Sequence, residues 1–240
     1  MCLTCDVAHL SRRSLFKMAG LGIAASAAGS LALGGKAFAA DAPPTPEIAL
    51  ERLKAGNSRF VADAASCAAN LATRRQDIAK SQAPWAIVLT CADSRVTPEL
   101  IFGGVTLGEL FVARNAGNVL DTDVLGTIEY GAEHLHAPLV VVMGHRRCGA
   151  VAAACEVATK GTQLEGAIGK MVQSIIPIAL AEQHHPGDLV DLTVRQNARS
   201  GAERILQESA ILSHLVHEGK VKVVPAYYDL DSGAVEFLEG

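Results

Sequence analysis

The sequence predicts an α/β fold: a mostly parallel β-sheet with an antiparallel edge strand, flanked by helices. Three observations lead there. Continuous apolar runs bounded by turn residues recur along the chain, as they do in strands buried on both faces. Helical spacings lie between those runs, the alternation that gives parallel strands and right-handed crossovers. The last run instead alternates apolar and polar residues just after Asp231-Ser232-Gly233, which marks a hairpin and an edge strand.

Residues 40–46 are proline-rich and lack an apolar period, so they read as a linker. Thr45-Pro46 places an N-cap residue before a proline at the first helical position. Ile48, Leu53 and Phe60 give the first helix a broken apolar face that ends near Asn57. Such a helix is short of core of its own and suits packing on a partner. The first strand is Trp85-Ala86-Ile87-Val88-Leu89, bounded by Pro84. Leu110-Phe111-Val112-Ala113 is the second, and Leu139-Val140-Val141-Val142-Met143, the most β-branched, is the third. Residues 221–228 form the fourth and residues 234–238 the edge strand. Val124, Leu125, Ile128 and Leu135 share a helical face opened by Asp121-Thr122-Asp123. Further helices are expected over 150–158, 188–206 and 209–217, the last closed by Gly219.

Composition sets the outer limits. With 240 residues, the chain suits one α/β domain or two small ones. Its 50% hydrophobic and 19% charged residues exclude a disordered or fibrous chain. Only 4% are aromatic, against stacking on single-stranded nucleic acid, and a net charge of −4 leaves no basic field for phosphates. The body of the chain has no uninterrupted apolar run of about 18 residues, which excludes a polytopic membrane protein.

The start of the chain reads as an address. Ser11-Arg12-Arg13-Ser14-Leu15-Phe16-Lys17 is a twin-arginine pattern, a weakly apolar Ala- and Gly-rich stretch follows, and Ala37-Phe38-Ala39 is a small-x-small cleavage site. Residues 1–39 are therefore expected to be a twin-arginine signal peptide, residues 40–46 a linker and residues 47–240 one catalytic domain. The export machinery would be a transient partner, the mature chain periplasmic and free of the membrane. Removing residues 1–39 discards four basic residues (Arg12, Arg13, Lys17, Lys36) and one acid (Asp6), taking the net charge from −4 to −7. The Cys2–Cys5 pair would be lost with them.

Polar clusters follow two of the strands. The first ends in Thr90-Cys91-Ala92-Asp93-Ser94-Arg95 and the third in Gly144-His145-Arg146-Arg147-Cys148-Gly149. Open α/β sheets bind ligands outside the carboxyl ends of strands where the winding reverses, so both clusters meet if these strands are neighbours. Two thiolates and an imidazole suit zinc, and three protein ligands leave open the fourth position that catalytic zinc requires. In an extended segment Cys91, Asp93 and Arg95 share one side, which brings a carboxylate and its guanidinium partner beside the thiolate. Cys155 is expected to pack beneath the site, and Cys67 to be a packed free thiol. His184-His185 reads as a surface turn, and His134 and His136 as helix-end residues. Arg146-Arg147 reads as a solvated face.

Cys91-Ala92-Asp93-Ser94-Arg95-Val96 together with Gly144-His145-x-x-Cys148-Gly149 resembles the β-class carbonic anhydrases. Gly108 to Asn118, Ser209-Ala210-Ile211-Leu212 and Tyr227-Tyr228-Asp229-Leu230 are similar to further blocks of that family. The resemblance implies a zinc enzyme that interconverts carbon dioxide and bicarbonate, with one Zn2+ per chain on Cys91, His145 and Cys148. It implies an Asp93–Arg95 dyad beside the zinc-bound water, a substrate contact from Gln82, and a homodimer or higher even assembly. Asp93 would ligate zinc only in a closed state. That state uses a Trp three residues before the first ligand, where this chain has Val88, so an open site is expected. Pro225 stands where the family commonly has Gly, which removes a ladder donor and puts strand pairing there in question. Two alternatives stay open: hydrolysis of carbon disulfide or carbonyl sulfide on the same scaffold, and a non-catalytic zinc-binding or redox protein. The last requires a fourth protein ligand or a Cys91–Cys148 disulfide.

Overall fold

The computed structural model describes residues 43–63, 74–76 and 78–239. Its strands are β1 (Ala86–Cys91), β2 (Leu110–Asn115), β3 (Leu139–His145), β4 (Lys222–Tyr228) and β5 (Val235–Phe237). They form one sheet in the order β2-β1-β3-β4-β5. Neighbours are parallel except β5, which runs antiparallel to β4. The expected architecture is therefore present. Because β2 lies on one side of β1 and β3 on the other, the winding reverses between β1 and β3, and a crevice opens at their carboxyl ends.

Strand alternation divides the core. Ala86 and Val88 of β1 pack with Ala49, Leu50 and Leu53 of the Pro46–Ala62 helix on one face. Ile87 and Leu89 pack on the other face with Ile128, Ala202, Ile205 and Leu212. The central strands β1 and β3 are buried throughout. Strand β2 departs from the expected double-sided burial, because it is the sheet's edge and most of its residues are only partly covered.

Helix starts follow their caps. Thr45, Asp121, Asp188 and Ser209 each accept a hydrogen bond from the backbone N–H three residues on. They open the helices Pro46–Ala62, Thr122–Glu129, Leu189–Glu208 and Ala210–His217. Gly161 (φ 67°) closes the Gly149–Lys160 helix in the left-handed region. Short helices at Pro98–Ile101, Gly166–Met171 and Ile176–Glu182 carry no clear sequence signal. Among the described residues, no helix is long and apolar enough to cross a membrane.

Two expectations about elements are corrected. The first helix continues to Ala62 and buries Ala49, Leu53, Gly56 and Asn57, whereas Ile48 is 49% exposed. Its inner stripe is built partly from small and polar residues, which an apolar-face reading passes over. Asn57 donates to Ile101 O (3.1 Å) and Gly233 O (2.8 Å) and accepts from Val235 N (2.8 Å), so the helix is fastened to its own chain. Pro225 does not interrupt β4, which pairs with β3 from Lys222 to Tyr228. Its carbonyl accepts Leu238 N (2.9 Å) on the β5 side. Since N and C=O of one strand residue point the same way, the missing donor faces the short edge strand rather than β3.

Replacing Asn57 with Ala strands the buried Ile101 carbonyl and the partly buried Gly233 carbonyl and Val235 N–H. Unfolding in urea is expected to show a loss of about 2–4 kcal/mol, from the cost of unsatisfied buried groups. A loss below about 0.5 kcal/mol would contradict this fastening.

Candidate metal centre

Cys91 ends β1 and His145 ends β3, so the adjacency of two parallel strands brings them together. A tight turn follows, with Arg147 at φ 53°, and returns the chain so that Cys148 faces the same point as the N-cap of the next helix. Cys91 Sγ, Cys148 Sγ and a His145 ring nitrogen lie within 4.8 Å of one another. The two sulfurs are 3.9 Å apart and unbonded, and all three residues are buried. A disulfide needs sulfurs about 2.05 Å apart, so the redox alternative finds no support in this geometry.

His145 shows which atom is available. Its Nδ1 lies 2.9 Å from Arg146 O. A carbonyl only accepts, so Nδ1 carries the proton and Nε2 keeps its lone pair. Nε2 is buried and has no hydrogen-bond partner. A buried unpartnered nitrogen is costly unless something else occupies its lone pair. Beside it, the hydrogen bond from Cys148 lowers the Cys91 thiol's pKa against the opposing effect of burial, with the Gly117 N–H assisting. The same hydrogen bond, together with burial, pushes Cys148 up. A divalent ion that displaces the thiol protons would complete a two-thiolate, one-imidazole ligand set. The donor set fits zinc.

Asp93 and Arg95 lie at the rim, by a route different from the expected extended segment. The chain turns after Cys91: Val96 N donates to Asp93 O (3.0 Å) and Arg95 N to Asp93 Oδ1 (2.9 Å). The Arg95 side chain folds back onto both carboxylate oxygens, at 2.9 and 2.7 Å. Arg95 thereby holds the Asp93 carboxyl well below the usual carboxylate range. Asp93 Oδ2 is 3.9 Å from His145 Nε2 and its side chain is 18% exposed, so it is the polar group at the mouth of the cluster.

Sequence reasoning missed the supports of this site. Arg114 donates to Cys91 O (3.0 Å) and Asp93 O (2.7 Å), fixing the backbone on both sides of Ala92. Gly117 N donates to Cys91 Sγ (3.3 Å). Arg114 and Gly117 lie inside the Gly108–Asn118 block already noted, but nothing in their spacing shows what they touch. Arg146 and Arg147 do face solvent, yet neither is free. Arg146 pairs with Asp229 and Asp231, both at 3.0 Å, and Arg147 with Asp231, which ties the ligand loop to the β4–β5 turn. Cys155 packs beneath the cluster against Thr193, as expected. Cys67 lies outside the described residues.

Gln82 is not brought to the cluster of its own chain. It precedes β1, whereas Cys91 ends that strand, which puts a strand length of about 20 Å between them. It lines an exposed cleft with Arg52, Trp85 and His136. A cavity of about 580 Å³ lies behind the loop between His145 and Cys148, among Arg146, Arg147, Asp191 and Tyr227. No ligand residue lines it, so it is not the chamber over the cluster.

Fold and cluster together fit a metalloenzyme of the open α/β type, with two thiols and an imidazole that could hold a metal at a topological switch point. Residues 86–235 match the family model described as carbonic anhydrase. The chain is 36% identical over 188 residues to carbonic anhydrase 2 of Mycobacterium tuberculosis, covering 78% of this chain and 90% of that protein. It is 35% identical over 191 residues to carbonic anhydrase of Mycolicibacterium smegmatis, covering 80% and 92%. A solved Coccomyxa β-carbonic anhydrase, in complex with acetazolamide, superposes with a TM-score of 0.60 at 28% identity, covering 75% and 82%. The chain belongs to the β-carbonic-anhydrase family. With that membership and its Cys–His–Cys triad, it is a metal-dependent carbonic anhydrase, an enzyme of carbon dioxide hydration.

The turn that anchors the ligand loop titrates in acid. Asp229 Oδ1 accepts N–H groups from Asp231 (2.8 Å) and Ser232 (2.9 Å), and Oδ2 accepts from Arg146 (3.0 Å). Led by the Ser232 N–H, these bonds lower its pKa to about 2, below the roughly 3.9 of an unfolded Asp. Its contribution is therefore complete above the unfolded value and lost as pH falls toward 2. The stability gap between the native chain and Asp229→Asn should be widest above about pH 5 and close on acidification. A gap constant from pH 6 to pH 2.5 would contradict it.

Proposed function

We propose that the cluster holds one Zn2+ per chain on Cys91, His145 and Cys148 and that carbon dioxide is hydrated at the mouth beside Asp93. The observation that carries this is the buried, unpartnered Nε2 of His145 within 4.8 Å of two buried sulfurs that are 3.9 Å apart. Bound there, the ion supplies the Lewis acidity that makes water a nucleophile at usable pH.

The remaining steps fall to the protein. Asp93, kept ionised by Arg95, is an acceptor-only group at the mouth. It accepts a hydrogen bond from the attacking water and turns the water's lone pair toward the carbon of carbon dioxide. Bicarbonate forms as the water oxygen bonds to that carbon, and one proton is released. Because Arg95 makes its protonation unfavourable, Asp93 orients the water without storing that proton, which passes to buffer. Arg114 keeps Asp93 in register by holding the carbonyls of Cys91 and Asp93. With both oxygens engaged by Arg95 and Val88 at the position of the closed-state Trp, Asp93 serves as a neighbour of the ion rather than a ligand.

Gln82 contacts substrate in this account only in the site of a second copy, which favours a homodimer or a larger even assembly. Ile48, Leu100, Leu107 and Tyr130 are large apolar residues more than 40% exposed, and burying them suits such an assembly. Carbon disulfide and carbonyl sulfide present the same kind of electrophilic carbon. Assaying all three substrates on one preparation separates the activities, with carbon dioxide expected to dominate. For the segment before the domain we propose twin-arginine export to the periplasm, on the strength of Arg12-Arg13 and Ala37-Phe38-Ala39.

Cys148→Ser is expected to lose the metal and most hydration activity together, by metal analysis and stopped-flow assay. Full zinc content and full rate in that variant would sink the ligand assignment. Arg12-Arg13→Lys-Lys should strand the enzyme in the cytoplasm; undiminished periplasmic activity would count against the export route.

A further inference from the structure

Gly117 is the residue whose N–H reaches the Cys91 sulfur. It sits at φ +82°, and a Cβ there would lie 3.0 Å from Ile175 Cδ1 and 3.1 Å from Ala150 Cβ, so the position takes only glycine. Glycine also has the freest backbone, and nothing in its own stereochemistry aims that N–H at sulfur. Asn115 closes the loop on itself by accepting Val119 N (2.7 Å) and donating to Val119 O (2.8 Å). The anchor from outside the loop is Asn197, whose Nδ2 donates to Gly117 O at 2.9 Å. Fixing that carbonyl restrains the Gly117 backbone, whose N–H is directed at the Cys91 sulfur.

Asn197 is itself rigidly placed. It is 7% exposed and lies in the Leu189–Glu208 helix, 80 residues from Gly117 in sequence. That helix sits close on β3. A Cβ at Gly144 would lie 2.7 Å from Val194 Cγ1, and one at Gly201 would lie 3.0 Å from Val142 Cγ1. Val194 and Ala198, on either side of Asn197, are buried in the core cluster that also holds Cys91 and Cys148.

We propose that Asn197 is a positioning residue for the metal centre, acting through the Gly117 peptide on the sulfur of Cys91. The proposal rests on Cys91 being a metal ligand. Outer-shell partners orient ligands and set how much charge they donate, and their loss typically weakens metal binding by about 10–100-fold. Asn197 therefore governs how tightly the ion is held and how strongly Cys91 donates to it, without touching ion or substrate.

The test compares the full-length protein with Asn197→Ala, Asn197→Asp and Asn57→Ala. Asn197→Asp keeps the shape but removes the donor, and serves if the alanine variant does not fold. Asn57→Ala removes a buried Asn that fastens the first helix and faces no ligand. Zinc affinity is read by chelator competition. The cobalt-substituted forms are read by the thiolate-to-metal charge-transfer band. Both Asn197 variants should bind zinc at least tenfold more weakly and shift that band, while Asn57→Ala should unfold more easily with native affinity and spectrum. Native affinity and an unmoved band in the Asn197 variants would overturn the proposal. So would an equal loss of affinity in Asn57→Ala, which would mark a general effect of instability. A native protein that binds no metal through Cys91 would instead defeat the ligand assignment beneath it.

Discussion

The structure turns on the burial of an imidazole nitrogen with nothing to bond to. His145 Nε2 is enclosed at the carboxyl end of β3, its other nitrogen committed to a backbone carbonyl, and around it stand the sulfurs of Cys91 and Cys148 and, 3.9 Å away, the carboxylate of Asp93. An apolar core has no reason to accept such a group, because an unmade hydrogen bond in a low dielectric is among the more expensive defects a fold can carry. The cost is offset once a cation takes the lone pair and two sulfur charges. The parallel pairing of β1 with β3 exists in part to make that possible. Reversing the order of winding at this pair places the ends of non-consecutive strands side by side, at the one edge of an open sheet where a ligand can enter.

The surroundings serve geometry more than bulk stability. Arg114 ties β2 to the backbone that carries Cys91 and Asp93, Gly117 presents an N–H to sulfur, and Arg95 curls over Asp93. The Arg146–Arg147 pair and the acids of the β4–β5 turn hold the loop between two ligands. Exposed ion pairs of this kind contribute little energy singly, but linked through one turn they restrict where His145 and Cys148 can go. The centre is thus specified by four separate parts of the chain that meet only after folding.

How much of this was legible in the sequence follows from the range of each interaction. Buried strands announce themselves as apolar runs, and β1, β3 and β4 appear where those runs fall. Caps act over three residues, and Thr45, Asp121, Asp188 and Ser209 behave as their identities require. The candidate metal cluster of Cys91, His145 and Cys148 was legible because soft donors seldom follow two strands by chance. What failed was finer geometry. An extended course from Cys91 to Arg95 was expected, but Asp93 captures its own downstream N–H groups and forms a turn. The inner stripe of the first helix was hidden because Asn57 looks polar in sequence and is satisfied only by the distant carbonyls of Ile101 and Gly233. Asn197 left no trace for the same reason: its meaning depends on a carbonyl 80 residues away.

The central claim is that Cys91, His145 and Cys148 form a three-ligand metal centre with its fourth position free of protein. Zinc-edge X-ray absorption on the purified protein, with the metal counted on the same sample, tests it most directly. The account predicts one zinc per chain whose nearest neighbours are two sulfurs and one ring nitrogen, with a single light atom completing the shell. A shell with one sulfur or none, a fourth ligand supplied by Asp93, or a fully folded active protein without zinc would contradict it.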